Sequence, residues 1–173
     1  MTSSVWHEYP LGAPVWLRPW LVDQGSLTQR ITARCLEFSV QNVSLRRAYA
    51  YSDEFALVGR RRHSLLRDVS LCCADKPVVY AHSVLPYASM VGAWARLRRL
   101  GNRPLGAALF VNPKVYRESL QFRRLDSRHP LWSAAVRRMV EPPQSLWARR
   151  SVFVLASKQI LVTEVFLPAI RYL

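Results

Sequence analysis

The sequence predicts an α+β fold: a single antiparallel sheet of about six strands, with three or four helices inserted between its hairpins. Several segments alternate apolar and polar residues with the period of two that is typical of strands. Two pairs of these segments are joined by short polar turns, at residues 74–77 and 156–159, as antiparallel hairpins require. Segments with helical periodicity lie between the strand-like ones, and this mixture places the chain in the α+β class.

The N-terminal part predicts a strap, a helix and a long strand. Residues 1–20 carry three prolines that interrupt any long helix and three tryptophans that can pack across a core: Pro10, Pro14, Pro19, Trp6, Trp16 and Trp20. A helix is expected over residues 27–35, because Ser26 begins a capping-box pattern. Residues 37–51 predict a long strand with a bulge near residues 41–42, where the alternation changes phase.

The middle of the chain predicts a hairpin and two helices. Strands are expected over residues 64–73 and 78–85, on either side of the first turn. Helical spacing then extends over residues 88–100, with an apolar face made of Met90, Val91, Trp94 and Leu97. Gly101 ends this helix, and a short second helix begins at Pro104, where a first-turn proline is tolerated.

The C-terminal part predicts three further strands and one helix. Alternation indicates a strand at residues 116–122, and helical spacing indicates a helix at residues 129–140. Residues 146–155 and 160–168 form the second hairpin. In the last strand Glu164 shares one face with apolar residues, namely Ile160, Val162 and Phe166. A carboxylate in such surroundings must be paired, protonated or in use.

Length and composition indicate one domain over residues 1–173, because half of the residues are hydrophobic and a core can form. No apolar run approaches the roughly 18 residues of a membrane span, and the N-terminus lacks the pattern of a secretory signal. We therefore expect a cytoplasmic protein. Three cysteines, Cys35, Cys72 and Cys73, are interpreted as reduced packing residues, with a redox or metal role as the alternative.

The chain is strongly basic, with 25 Lys and Arg against 11 Asp and Glu and a formal net charge of +14. Such a charge raises the hypothesis of nucleic-acid binding. The arginines are scattered in short groups, however, at residues 60–62, 96–99, 123–124, 137–138 and 149–150. The sequence also lacks paired Cys and His, a basic region with heptads and an aromatic RNP-like strand. We interpret these groups as a solvated basic surface and expect no nucleic-acid partner.

Motifs for covalent or cofactor chemistry are missing from the sequence. The four histidines have no flanking triad pattern, and there is no phosphate loop, dinucleotide fingerprint or metal-spaced cluster. We therefore expect neither a metal nor another cofactor. Arg67 and Glu164 remain, as opposite charges on apolar strand faces. They form either the two ends of a polar cavity or a buried salt bridge, and the pattern leaves both alternatives open.

Five strings in order resemble the chorismate pyruvate-lyase family, which makes 4-hydroxybenzoate for ubiquinone. They are Ser26-Leu27-Thr28, the strand from Leu66 to Cys72 with its partner ending Val84-Leu85-Pro86, the turn from Leu100 to Gly106, Leu146 to Ser151, and Val162 to Ala169. The resemblance runs from about Trp20 to the C-terminus. It implies an antiparallel α+β fold that encloses a buried aromatic acid, in a monomer that works without a cofactor.

The resemblance also implies roles for individual residues. Arg67 stands where the family's arginine binds the ring carboxylate, and Glu164 where its acid meets the 4-hydroxyl, so these two are the expected catalytic residues. Leu105, in the Pro-Leu-Gly turn, would contact the ligand through its backbone. Leu27 stands where well-known relatives have methionine, and that contact is also through the main chain. His82 stands where relatives have arginine.

The implied function is the elimination of pyruvate from chorismate, with chorismate and 4-hydroxybenzoate as small-molecule partners and no membrane span. Residues 129–143 stand as an insertion relative to the family. A sensor-like domain that binds an aromatic acid without catalysis is the alternative, because effector domains of some bacterial transcription regulators resemble the same fold. A nucleic-acid binder is a third class, and it rests on the charge alone.

Overall fold

The computed structural model describes residues 5–59 and 63–173, which are built around one open antiparallel sheet of seven strands. The strands are β1 (Phe38–Tyr49), β2 (His63–Cys73), β3 (Lys76–Pro86), β4 (Tyr116–Arg117), β5 (Gln121–Asp126), β6 (Ser145–Leu155) and β7 (Lys158–Phe166). Their order across the sheet is β1-β2-β3-β7-β6-β4, and β5 also pairs with β6. The predicted α+β class with an antiparallel sheet is confirmed. One strand more than expected is present, because the alternating segment 116–122 is divided between β4 and β5.

The helices are short connections between strands. They are α1 (Arg18–Val22), α2 (Leu27–Thr32), α3 (Phe55–Val58), α4 (Leu105–Phe110) and α5 (Pro130–Val136), with 3₁₀ helices at Ser52–Glu54, Gly92–Arg99 and Pro168–Tyr172. Ser26 caps α2 as predicted, since its Oγ accepts a hydrogen bond from the backbone N–H of Gln29. Within the described residues, no helix has the length and apolar character needed to cross a membrane.

The helix predicted over residues 88–100 is a 3₁₀ helix that begins only at Gly92. With three residues per turn, Trp94 and Leu97 fall on the same side and are both buried. Val91, which was predicted to share that side, is 58% exposed. The apolar spacing was therefore read correctly as helical, but Val91 precedes the helix and has extended backbone angles, so it does not share the buried side.

The predicted turns and bulge are present. The β2–β3 turn places Ala74 and Asp75 at positive φ, +46° and +61°, as the tight two-residue turns of antiparallel hairpins require. The β1–β2 register shifts between Gln41 and Ser44, with Asn42 at a φ of +53°. This confirms the bulge that the phase change predicted.

The two faces of the sheet carry different coverings. On the first face, α1 and α2 close one apolar cluster, and the 3₁₀ helix Gly92–Arg99 and α4 close a second. On the other face, α3 and α5 cover two further clusters. The predicted insertion thus forms α5, which buries Leu131 and Val136 on this second face.

The start of the described chain is fixed to the second face by a half-buried acid, Asp53. Asp53 accepts hydrogen bonds from Trp6 Nε1 at 2.7 Å and from His129 Nε2 at 3.2 Å, and lies 3.7 Å from Arg150 Nη1. Burial alone would raise the pKa of Asp53, but these donors and the charge of Arg150 hold it well below its usual value. Arg150 also stacks 4.2 Å from the Trp6 ring centroid.

The cysteines do not all remain reduced. Cys35 and Cys73 form a disulfide, with their Cα atoms 5.8 Å apart, and Cys72 is a buried free thiol. Adjacent strand residues point to opposite faces, so Cys73 faces the segment that follows α2 while Cys72 points away from it. The interpretation of all three as reduced packing residues was wrong for two of them.

His82 lies on the second face of the sheet, completely buried between two acids. Its Nδ1 lies 2.5 Å from Asp68 Oδ1, and its Nε2 lies 3.4 Å from Glu54 Oε1. Burial alone would lower the pKa of His82, but its hydrogen bond with Asp68 and the nearby charges of Glu54 and Asp68 raise it to about 9. The imidazole is therefore the cation of a buried charged cluster.

Breaking the disulfide is expected to lower the free energy of unfolding by about 3 to 4 kcal/mol, because the bond closes a 38-residue separation in the unfolded chain. The measurement is denaturant unfolding of the wild type and of Cys35→Ser, each with and without a reductant. Reductant should destabilise the wild type only. Equal sensitivity of both proteins to reductant would contradict the assignment.

The stability should also depend on the protonation of His82. Since the folded-state pKa of about 9 lies above the ordinary value of about 6.5, the contribution is fully present below pH 6.5 and is lost as the pH rises toward 9. We expect the unfolding free energy to fall across this window. In His82→Gln that fall should disappear, whereas His63→Gln, at an exposed histidine, should keep it. Parallel pH profiles for wild type and His82→Gln would refute the prediction.

Candidate active site

A cavity of about 520 Å³ lies on the first face, between the sheet and the starts of α2 and α4. Its floor comes from β2, β3, β7 and β6. This volume counts some space that is open to solvent, and the enclosed pocket that the resemblance implies stays a prediction. Both Arg67 and Glu164 line it, together with Leu27 and Leu105. The four residues named from the sequence are therefore brought to one place.

Small side chains on the sheet leave space in the cavity. Ala81 and Ser83 on β3 and Ser151 on β6 all line it. The strand register places Arg67 opposite Ser83, Ser83 opposite Val162, and Val162 opposite Ser151. One row across the sheet therefore begins with a cationic side chain and continues with short ones. The space above this row is left for a ligand.

Arg67 is a buried cation that has no acidic partner among the described residues. It is 2% exposed, and its Nη2 donates to the carbonyl oxygens of Gly101 at 3.1 Å and Arg103 at 2.9 Å. These carbonyls belong to the loop that leads into α4. The Nε atom is buried and makes no hydrogen bond within residues 5–59 and 63–173. Burial lowers the pKa of Arg67, because no nearby charge compensates the guanidinium.

Glu164 is held by a different arginine. Arg149 Nε donates to Glu164 Oε2 at 2.5 Å, from the position directly opposite on β6. The Nη1 of Arg149 donates to the carbonyl oxygens of Trp20, Leu21 and Asp23, at the end of α1. The alternative of a salt bridge between Arg67 and Glu164 is wrong, since in the part of the chain that the structure describes their partners are these other groups.

Arg149 was missed from the sequence. Together with Arg150 it was placed on the solvated basic surface, and both are buried, at 0% and 6% exposure. Adjacent strand residues point to opposite faces, so two arginines within an apolar strand must send one guanidinium to each side of the sheet. That feature could have indicated buried partners. Other groups, such as Arg137 and Arg138, are exposed as expected, and residues 60–62 lie outside the described residues.

Arg117, on β4, lines the cavity and was also missed by sequence reasoning. Its Nε donates to Ser151 Oγ at 2.8 Å, and its Nη1 donates to the carbonyl oxygen of Gln24 at 3.0 Å. The guanidinium lies 5.6 Å from the Phe110 ring centroid and 5.3 Å from that of Phe153. Because β4 has only two residues, its alternation gave no sign of which face Arg117 would occupy.

Leu27 and Leu105 are the first residues of α2 and α4, which meet above the cavity. The approach is close, since a Cβ atom at Gly106 would lie 3.3 Å from Thr28 Oγ1. The Pro-Leu-Gly turn therefore determines how closely the starts of α2 and α4 approach each other above the cavity. Glycine at its third position lets the two helices pack.

The arrangement offers charge and hydrogen bonding rather than a nucleophile. Within residues 5–59 and 63–173, no group of three His, Cys, Asp or Glu side chains converges as a metal site. His82, for which the resemblance implied an arginine in relatives, does not line the cavity, because it points to the other face of the sheet. The cavity lining includes one carboxylate, of Glu164, and two guanidinium groups, of Arg67 and Arg117. It is suited to an anionic ligand that carries a hydroxyl.

Two solved structures share the fold at low sequence identity. The ligand-binding domain of a GntR-family transcriptional regulator from Bordetella bronchiseptica matches with a TM-score of 0.53 and 18% identity, over 76% of this chain and 85% of that one. A GntR-family regulator from Bacillus cereus matches with a TM-score of 0.55 and 11% identity, over 77% and 93%. These likenesses concern the fold alone.

The sequence comparisons are much closer. A protein of Nitrosomonas europaea, named as a probable chorismate pyruvate-lyase, is 47% identical over 170 residues, covering 97% of this chain and 96% of that protein. A protein of the same name from Aromatoleum aromaticum is 48% identical over 177 residues, covering 97% and 94%. The family profile described as chorismate lyase matches residues 10–172. With agreement over nearly its whole length, the chain belongs to the chorismate lyase family.

Proposed function

We propose that this protein eliminates pyruvate from chorismate to give 4-hydroxybenzoate. The observation that carries the proposal is a buried arginine without an acidic partner, Arg67, in the same cavity as Glu164, in a chain of this family. A buried unpaired cation is costly unless a ligand supplies its counter-ion. The carboxylate on the ring of chorismate would be that counter-ion.

Arg67 is suited to anchor the ring carboxylate. Its Nη2 is already directed by two carbonyl oxygens, whereas its Nε has no protein partner. A guanidinium that is fixed on one side can present its remaining N–H groups to a carboxylate in a paired geometry. Leu105 and Leu27, at the starts of two helices above the cavity, would contact the ring through their backbone.

Glu164 is suited to meet the hydroxyl end of the substrate. Arg149 holds its Oε2, and its Oε1 has no hydrogen-bond partner among the described residues. The free oxygen can accept a hydrogen bond from the 4-hydroxyl. The ring would thereby be fixed at two points, the carboxylate at Arg67 and the hydroxyl at Glu164. Such positioning contributes to catalysis by holding the substrate in its reactive conformation.

The proposed reaction breaks the carbon–oxygen bond between the ring and the enolpyruvyl group. The electrons of that bond leave with the enolpyruvyl oxygen, and the adjacent ring carbon loses its proton. The ring becomes aromatic, and the released enolpyruvate takes up a proton to become pyruvate. Two routes fit the geometry for the ring proton: transfer to Glu164, or concerted transfer to the departing group. We extend the proposal to a monomeric, cofactor-free enzyme of the cytoplasm whose product enters ubiquinone synthesis.

Turnover is the direct test. Purified protein incubated with chorismate should release 4-hydroxybenzoate and pyruvate in equal amounts, followed by ultraviolet absorbance and by a coupled pyruvate assay. Boiled protein is the control for the spontaneous reaction. Saturable binding of chorismate without either product would overturn the enzyme proposal in favour of an aromatic-acid sensor. Tight binding of nucleic acid without turnover would favour the third class.

Substitution of the two expected catalytic residues should separate their roles. Arg67→Gln should lower kcat/KM by a factor corresponding to about 2 to 5 kcal/mol and weaken binding of 4-hydroxybenzoate, because the ring carboxylate loses its buried partner. Glu164→Gln should lower kcat more than it changes that affinity. Arg96→Gln removes an exposed positive charge and should match the wild type. Wild-type kinetics in both site variants would refute the assignment.

A further inference from the structure

The arginines that are not exposed divide into two groups. In the described part of the chain six arginine side chains are buried or half-buried: Arg30, Arg67, Arg117, Arg123, Arg149 and Arg150. Four of them form ion pairs with Asp23, Asp53 or Glu164. The two that do not are Arg67 and Arg117. Both line the cavity.

Arg117 is held in place without being neutralised. Ser151 and the carbonyl of Gln24 accept from Nε and Nη1, and two phenylalanine rings flank the guanidinium. Its Nη2 amino group has no hydrogen-bond partner among the described residues. Burial lowers the pKa of Arg117 to about 10, and the nearby charge of Arg149 opposes the charge of Glu164. The side chain is therefore a rigid, partly desolvated cation with free N–H donors.

The two unpaired arginines lie at opposite sides of the cavity floor. Arg67 begins the row of opposed residues on β2, and Ser151, the acceptor for Arg117, ends it on β6. Two strands lie between them, so the backbones of β2 and β6 are roughly 14 Å apart. Glu164 projects from one of these intervening strands, in the next row. The floor thus presents a cation, a carboxylate and a second cation in sequence.

We propose that Arg117 binds the carboxylate of the enolpyruvyl group, the second carboxylate of the substrate. This inference rests on the proposed function and extends it. The ring carboxylate lies at Arg67, the hydroxyl at Glu164 and the side-chain carboxylate at Arg117. Arg117 is then a residue that selects a dianion over an aromatic acid with a single carboxylate.

The assignment has a consequence for the product. When the carbon–oxygen bond breaks, the enolpyruvyl carboxylate leaves with the three-carbon fragment. The aromatic product keeps its contacts with Arg67 and Glu164 but has no group for Arg117. Substrate affinity therefore depends on both arginines, whereas affinity for 4-hydroxybenzoate depends on Arg67 and Glu164 but not on Arg117.

The experiment measures both affinities in the same variants. Arg117→Gln should lower kcat/KM for chorismate by roughly 30-fold or more, the factor that corresponds to about 2 kcal/mol at 1.36 kcal/mol per tenfold change. Its Kd for 4-hydroxybenzoate should stay within about twofold of the wild type. Arg117→Lys, which keeps the charge, should recover part of the loss. Arg96→Gln is the control for the loss of one positive charge from the surface.

The possible outcomes distinguish carboxylate binding by Arg117 from a structural role of this residue. Unchanged chorismate kinetics in Arg117→Gln would overturn the inference and leave the lyase proposal standing. An equal loss of affinity for chorismate and for 4-hydroxybenzoate would also overturn it, because Arg117 would then only support the shape of the cavity. If the wild type binds chorismate without converting it, the lyase proposal fails. The same titrations, with chorismate as an unconverted dianion, would still test whether Arg117 distinguishes two carboxylates from one.

Discussion

The ion pair between Arg149 and Glu164 connects most of the parts on which the cavity depends. Arg149 is completely buried, and its guanidinium joins a carboxylate on β7 to three carbonyl oxygens at the end of α1. Carbonyls at a helix end lack partners within the helix, so the arginine satisfies groups that burial would otherwise leave unpaired. The pair fixes the orientation of Glu164 and the position of α1 over the sheet. Loss of one member of such a pair costs about 3 to 5 kcal/mol.

Because successive strand residues face opposite sides of the sheet, neighbouring charged residues have different functions on the two faces. Arg67 and Asp68 are neighbours in β2, yet the first faces the cavity and the second pairs with His82 on the other face. Arg149 and Arg150 divide in the same way, toward Glu164 and toward Asp53. On the second face the charged side chains compensate each other and hold the covering elements. On the first face, Arg67 and Arg117 have no ion-pair partner among the described residues, and we propose that the ligand binds there.

The sequence predicted local structure well because local structure depends on local patterns. The bulge in β1 and both hairpins followed from alternation and turn residues. The contact of Arg149 with Glu164 depends instead on which strands become neighbours, and no periodicity within one strand contains that information. The pairing of Cys35 with Cys73 likewise depends on which distant segments become neighbours. Arg67 and Glu164 could be identified from the sequence because a charge among apolar residues is conspicuous within its own strand.

The charges of the cavity also explain why the site would bind the substrate and the product with different affinities. Three arginines and one glutamate give the site a formal charge of +2, from Arg67, Arg117, Arg149 and Glu164. A dianion neutralises this charge, whereas an aromatic acid with a single carboxylate leaves one positive charge without compensation. Electrostatic interactions are stronger in a partly desolvated site than in water, so this difference favours the substrate over the product. Arginine is in excess throughout the composition. In the proposed site, the arginines and Glu164 are arranged so that their net charge matches a ligand with two negative charges.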